Sequence, residues 1–148
     1  MNNDEKKTQV LWIDDEIYED EQRRRSVWID QLQAKGDIEV HAAIDGSEAL
    51  DYLHEHHPDI IVLDIMVPPG EALALAGKDI KNGYETGFVL LRIIRLTLRL
   101  TIPVIVLTLY PKLLPENERR ELDIAEYLAK PIKMKSLAEL IRFHAKET

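Results

Sequence analysis

Four short apolar runs constrain this chain more than any other feature: Val10-Leu11-Trp12-Ile13, Ile60-Ile61-Val62-Leu63, Val104-Ile105-Val106-Leu107 and Tyr127-Leu128-Ala129. None alternates apolar with polar residues, as a strand with one wet face does. Unbroken runs of largely β-branched side chains are read as parallel strands covered on both faces. Asp37 to Ile44 is a fifth candidate, more mixed in character, and reads as an edge strand.

Helix-like segments lie between these runs. Glu16 to Lys35 is long and amphipathic, with Ile17, Val27, Trp28 and Leu32 as inward positions and Gly36 as its end. Ser47 to His56 follows Asp45-Gly46, where a short polar side chain can cap a new helix. Thr86 to about Leu100 carries Leu91, Ile94 and Leu98 at helical spacing. Pro115 to Leu122 starts with proline in the first turn, where its missing N–H does no harm. Ser136 to Lys146 places Leu137, Leu140 and Ile141 on one side. Strand and helix thus alternate along the chain, which predicts an α/β fold: a doubly wound parallel sheet of five strands with helices on both faces. One segment breaks the rhythm. Val67 to Glu85 is far longer than the roughly 2–6 residues that usually join a strand to a helix. It is read either as a partner-facing or gating element or as a passive surface loop.

Composition narrows the class. A chain of 148 residues suits a single domain over 1–148, with 67–85 as an insertion between strand 3 and helix 3. There is no cysteine, so neither a disulfide framework nor a thiolate site is possible. Met1 to Thr8 is polar and lacks a signal peptide's apolar run. The longest apolar stretch, Phe88 to Tyr110, is broken by Arg92, Arg95, Arg99 and Pro103, which argues against membrane insertion. A net charge of −8 argues against direct binding to nucleic acid, whose phosphates need a basic surface. The expectation is a cytoplasmic protein.

Each central run ends in a residue able to do chemistry: Asp14 and Asp15, Asp64, Thr108, and Lys130 with Pro131. In an open parallel sheet those ends share one edge, where such folds bind ligands. Clustered carboxylates favour a hard divalent cation such as Mg²⁺. An ionised aspartate beside the cation is also a nucleophile toward phosphorus. A cation, a lysine and a hydroxyl then stabilise charge on a transferring group. Asp64, alone at the end of the most apolar strand, is the nucleophile candidate, and Asp14 with Asp15 the metal pair. Each residue alone has an ordinary reading as well. The acidic pair can cap a helix starting at Glu16, Thr108 can be a loop residue and Lys130 a solvated one. Their joint placement at strand ends carries the inference.

Taken together, Leu11-Trp12-Ile13-Asp14-Asp15-Glu16, Ala43-Ile44-Asp45-Gly46-Ser47-Glu48-Ala49-Leu50, Pro58 to Pro68, Ile102 to Thr108 and Tyr127-Leu128-Ala129-Lys130-Pro131 resemble the receiver domain of bacterial two-component response regulators. The resemblance spans residues from about 8 to 145 and implies a flavodoxin-like sheet of order 2-1-3-4-5. It implies that Asp64 is the phosphoacceptor. Asp14 and Asp15 hold Mg²⁺, or Mn²⁺, with Asp64 and the backbone carbonyl of Met66. It further implies that Thr108 and Lys130 meet the phosphoryl oxygens, that Tyr127 is an aromatic switch turning inward on phosphorylation, and that the Lys130–Pro131 bond is cis.

The phosphoryl group would come from a histidine kinase or phosphotransfer protein. The chain closes with the fifth helix, so output is expected through contacts with a downstream protein, with a homodimer left open. Turnover beyond self-phosphorylation and self-dephosphorylation is not expected, since aspartyl-phosphate enzymes place a second acid where Met66 stands. Three departures from the family pattern stand out: a long first helix, the late Gly87 after the insertion, and Leu109 where a small residue usually follows the threonine. Leu109 and the insertion are the support for an alternative, a receiver-like interaction module that does not use phosphorylation. His54, His56 and His57 lack paired ligands at standard spacing and read as favourable charges at a helix end. Arg23-Arg24-Arg25 and the Arg92, Arg95, Arg99 stripe read as solvated faces, and Tyr110 as a residue at the site's rim or in solvent.

Overall fold

The apolar runs form strands and pair in parallel. The computed structural model describes residues 6–17, 26–71, 86–109 and 114–145. In chain order these hold β1 (Thr8–Ile13), α1 (Val27–Gln33), β2 (Ile38–Ala43), α2 (Gly46–Glu55), β3 (Ile60–Asp64), α3 (Thr86–Arg92), a π-helical turn (Ile93–Thr97), β4 (Val104–Thr108), α4 (Glu116–Glu121), β5 (Glu126–Ala129) and α5 (Met134–Ala145). The five strands lie in the order β2-β1-β3-β4-β5. Val10 faces Ile60, Ile61 faces Val104 and Ile105 faces Glu126, all in parallel register. The expected flavodoxin-like order is therefore the observed one, with the mixed strand β2 at an edge.

Alternate side chains of each strand enter two separate cores. Leu11, Ile13, Ile61, Leu63, Val104 and Val106 pack on one face with Leu53, Phe88, Leu91 and Ile94 from α2, α3 and the π turn. Val10, Trp12, Ile60, Val62, Ile105 and Leu107 pack on the other with Ile29, Leu32, Leu137 and Ile141 from α1 and α5. Every residue of β3 and β4 is buried, which is why these runs cannot alternate.

The helices depart from expectation in three places. Glu16 lies in a turn, not in a helix, and α1 starts only after Ser26; residues 18–25, including the Arg23-Arg24-Arg25 run, lie outside the described residues. Ile17 and Leu32 are buried as expected, but Val27 is 53% and Trp28 42% exposed, and Ile29 is buried instead. Once the helix starts at Val27, the pair Ile29 and Leu32 defines its inward stripe and turns the two preceding residues outward.

The third helix does not run on evenly to Leu100. It widens into the π turn, where Leu98 N–H donates to Ile93 O, and Arg99 then reverses the chain at a φ of 54°. Arg95 accounts for this. Its guanidinium is not solvated; it donates to Leu100 O at 2.8 Å, Leu122 O at 2.8 Å and Asp123 O at 3.1 Å, satisfying carbonyls that a helix end leaves open. Arg92 is likewise engaged, with Glu118 at 3.2 Å. Finally, Pro115 is the residue before α4 rather than within its first turn.

Residues 72–85, most of the long connection, lie outside the described residues, and so do the roles considered for it. Its two flanks are tied down. Pro68 O and Pro69 O accept from the Gly46 and Ser47 amides, so the loop after β3 satisfies the first donors of α2. Asp45 caps the same helix, its Oδ1 accepting Glu48 N–H at 2.8 Å while Glu48 Oε1 accepts Ile44 N–H at 3.1 Å. On the far side, Gly87 N–H donates to Ile65 O at 2.9 Å. A Cβ on Gly87 would sit 2.5 Å from Ile65 Cα, so only glycine allows α3 to approach the turn that follows Asp64. The late glycine thus does its work in spite of the insertion.

Candidate functional site

Strand ends put the chemistry in one place. Asp14 directly follows β1 and continues the face of Trp12; Asp64 ends β3 on the face of Val62; Lys130 follows β5 on the face of Leu128. Period-two alternation therefore aims all three at the same side of the sheet edge. Lys130 Nζ lies 3.0 Å from Asp14 Oδ2 and 3.2 Å from Asp64 Oδ2, bridging the two carboxylates. Asp64 Oδ1 accepts the Met66 amide at 3.1 Å. Asp14 Oδ1 accepts the Glu16 amide at 2.9 Å, so the acidic pair closes a turn as well as facing the site.

One carboxylate oxygen each from Asp14, Asp15 and Asp64 falls within 4.8 Å of the others. Three hard oxygen donors converging at this spacing, two of them on buried residues, fit Mg²⁺, which binds through few carboxylates and keeps several waters. The electrostatics agree with that fit. Burial lifts the Asp64 carboxyl above the ordinary range and the Asp14 charge adds to it, while Lys130 and the Met66 amide pull the other way. Burial also lifts Asp15, and the charges of Asp14, Asp64 and Glu16 lift it further. Burial works against the Lys130 charge, yet Asp14 and Asp64 outweigh it and hold the ammonium above the usual lysine value. Negative charge is thus in excess here, and a divalent cation relieves it.

Thr108 ends β4, fully buried, and its carbonyl accepts the Lys130 amide at 2.8 Å. Its side chain follows the face of Val106, opposite to that of Leu107, and so looks toward the side of the sheet that carries Tyr127. Tyr127 packs partly buried against the core beneath α3 and α4. The Lys130–Pro131 peptide is cis. Leu109 is 62% exposed and does not lie buried over Asp64. It lines a cavity of about 290 Å³ together with Asp14, Trp12, Trp28, Lys130 and Met134. Tyr110 is outside the described residues. His56 stacks on Tyr52 with ring centres 4.6 Å apart, and the acidic trio is the one group of possible metal ligands among the described residues.

A family model, the response regulator receiver domain, matches residues 16–142. The chain belongs to this family. The matched span starts just past Asp15, so the acidic pair is placed by the geometry of β1 rather than by the match. This receiver is 30% identical over 126 residues to the polar-differentiation response regulator DivK of Brucella ovis, covering 85% of this chain and 90% of that one. The Francisella response regulator 1452 receiver domain has 26% sequence identity to it and a TM-score of 0.65, covering 95% of this chain and 98% of that one. A CheY-like receiver domain protein from Methanospirillum hungatei shares the fold, with a TM-score of 0.67, 21% identity and 95% of each chain covered. Among the described residues, no helix of this receiver is long and apolar enough to cross a membrane.

Sequence reasoning missed one residue of the receiver's surroundings. Arg119 stands over the Tyr127 ring, 5.0 Å from its centre. In Glu116–Glu121 it is chemically indistinguishable from Arg120; its place three residues before the buried Leu122 was the available signal.

Proposed function

We propose that Asp64 of this receiver accepts a phosphoryl group from a phosphohistidine on a histidine kinase or phosphotransfer protein, in a Mg²⁺-dependent step. The supporting observation is the position of Asp64, buried between the Lys130 ammonium and the acidic pair. The Asp64 carboxylate attacks phosphorus; an O–P bond forms, the P–N bond to the donor imidazole breaks, and the imidazole leaves with the electron pair. Asp14, Asp15, Asp64 and the Met66 carbonyl would hold Mg²⁺ or Mn²⁺, which would supply charge neutralisation for the phosphoryl oxygens. Lys130, already 3.2 Å from Asp64, is placed to follow the charge from the carboxylate to those oxygens. Thr108, at the neighbouring strand end, turns its hydroxyl from the Tyr127 side toward the same group once it is bound.

The phosphorylated state is read by a downstream protein through changed contacts, with Tyr127 as the switch on the Thr108 side of the sheet. Chemistry is confined to gain and loss of this one group, and the setting is the cytoplasm. Intact mass after incubation with acetyl phosphate and Mg²⁺ tests the assignment. The parent gains one phosphoryl group and Asp64→Asn gains none; equal labelling of both overturns the site, and no labelling of either favours a module that does not use phosphorylation.

A further inference from the structure

The contact between α4 and β5 is made by an unusual pair. Arg119 holds its guanidinium carbon 5.0 Å from the centre of the Tyr127 ring. Its Nε is buried and has no hydrogen-bond partner among the described residues. The Tyr127 hydroxyl is also buried, with the Leu114 amide as a backbone partner. The Leu114 amide and the Arg119 charge both favour the ionised phenol, but burial outweighs them and pushes its pKa up. Holding the ring inward takes its hydroxyl out of water, a loss of hydration that one backbone amide offsets only in part. A cation over the ring face opposes that penalty, because the face of the π system is negative.

The surroundings give this contact leverage. The far end of α4 is anchored by Arg95, which takes the carbonyls of Leu122 and Asp123. The rest of α4 is held by the Arg92–Glu118 pair, which is partly exposed, and by Arg119 on Tyr127. We propose that Arg119 is a positioning residue: its guanidinium holds Tyr127 inward, and through that contact the placement of α4 is coupled to the phosphorylation state of Asp64. The coupling rests on the phosphoacceptor function proposed above; the hold on the ring does not.

The chain has five tyrosines, so 3-fluorotyrosine labelling gives five fluorine resonances, with that of Tyr127 assigned from Tyr127→Phe. Arg119→Met keeps the apolar stem without the charge, and Arg119→Gln is a second neutral variant. Both move the Tyr127 resonance toward the outward population, by about two- to thirty-fold in the inward–outward ratio. Arg119→Lys keeps the charge and lies between them and the parent. An unmoved Tyr127 resonance in the neutral variants overturns the proposal, and so does a lysine variant shifted as far as the neutral ones, because packing rather than charge then holds the ring. Acetyl phosphate with Mg²⁺ tests the coupling. Labelling drives Tyr127 further inward, so the parent, already held inward, shows a small displacement and the neutral variants a larger one; equal displacements overturn the coupling. If the parent takes no label, the coupling falls with the phosphoryl reading, while the unlabelled spectra still decide whether Arg119 holds the ring.

Discussion

Leu109 and Met66 are expected to govern how long an acyl phosphate on Asp64 survives. Loss of the phosphoryl group needs water in line with the O–P bond, and a neighbouring base or amide speeds it by orienting that water. Met66, two residues past Asp64, offers no such group. Leu109 stands at the rim of the cavity shared with Asp14 and Lys130, where a bulky apolar side chain narrows the approach. The expected outcome is slow hydrolysis in the parent, and faster hydrolysis in Leu109→Ala and in Met66→Asn. Following loss of label after removal of the donor checks this; fast loss in the parent, unaltered by either change, refutes it. Leu109 stands where the family usually has a small residue, yet it is largely exposed. Its side chain borders the approach without closing it.

Among the elements, α5 is tied to the edge strand by an ion pair that sequence inspection did not single out. Arg142 Nε donates to Asp37 Oδ2 at 2.6 Å and its NH2 group to Oδ1 at 3.1 Å, a two-pronged contact just ahead of β2. The hydrogen bonds from Arg142 hold the Asp37 carboxyl below its ordinary value of 3.8. A depressed carboxylate stabilises the fold above its unfolded value, and that contribution is lost as pH falls through the folded value. Both groups are partly exposed, so solvent screening limits the pair to about 0.2–1 kcal/mol. Asp37→Asn therefore lowers the melting temperature by a few degrees at neutral pH. The difference from the parent should shrink to nothing on acidification from about pH 3.8 downward. Thermal unfolding across that range decides it, and a gap that persists or widens in acid contradicts the assignment.

For the whole molecule, the acidic cluster links function to stability. Folding gathers three carboxylates within 4.8 Å, against a single bridging ammonium among the described residues. A cation that binds only the folded arrangement stabilises it by mass action, roughly 2.7 kcal/mol at a hundred times its dissociation constant. Mg²⁺ should accordingly raise the melting temperature of the parent, and Asp14→Ala with Asp15→Ala should abolish that rise. Trp12, two residues before Asp14 and lining the same cavity, offers a fluorescence report on binding. Trp28 lines the same cavity, so the titration belongs in a Trp28→Phe background. An equal Mg²⁺ response in the double variant removes the acidic pair from the metal site.

The sequence by itself determined the class of fold and the edge at which chemistry gathers. Unbroken apolar runs read as strands of a covered parallel sheet, which holds fully for β3 and β4, while the short run of β5 lies at an edge and is only partly buried. The residue ending each run lies at the sheet's carboxyl edge. Asp14, Asp64, Thr108 and Lys130 were legible for that reason, and the edge placement of β2 was legible from its mixed composition. Tertiary structure decided what depends on the meeting of distant segments. The start of α1 at Val27 puts Ile29 rather than Val27 and Trp28 against the second core, a choice made by packing across the sheet. The end of α3 follows from Arg95 reaching the carbonyls beyond α4, a partner that no local pattern announces. Lys130 reads as a solvated lysine until β5 is laid beside β4 and its ammonium arrives between Asp14 and Asp64. Arg119 reads as one charge among many until α4 is set over Tyr127. Local periodicity records which face of an element is buried; it carries no information about which charged side chain from elsewhere will meet that face.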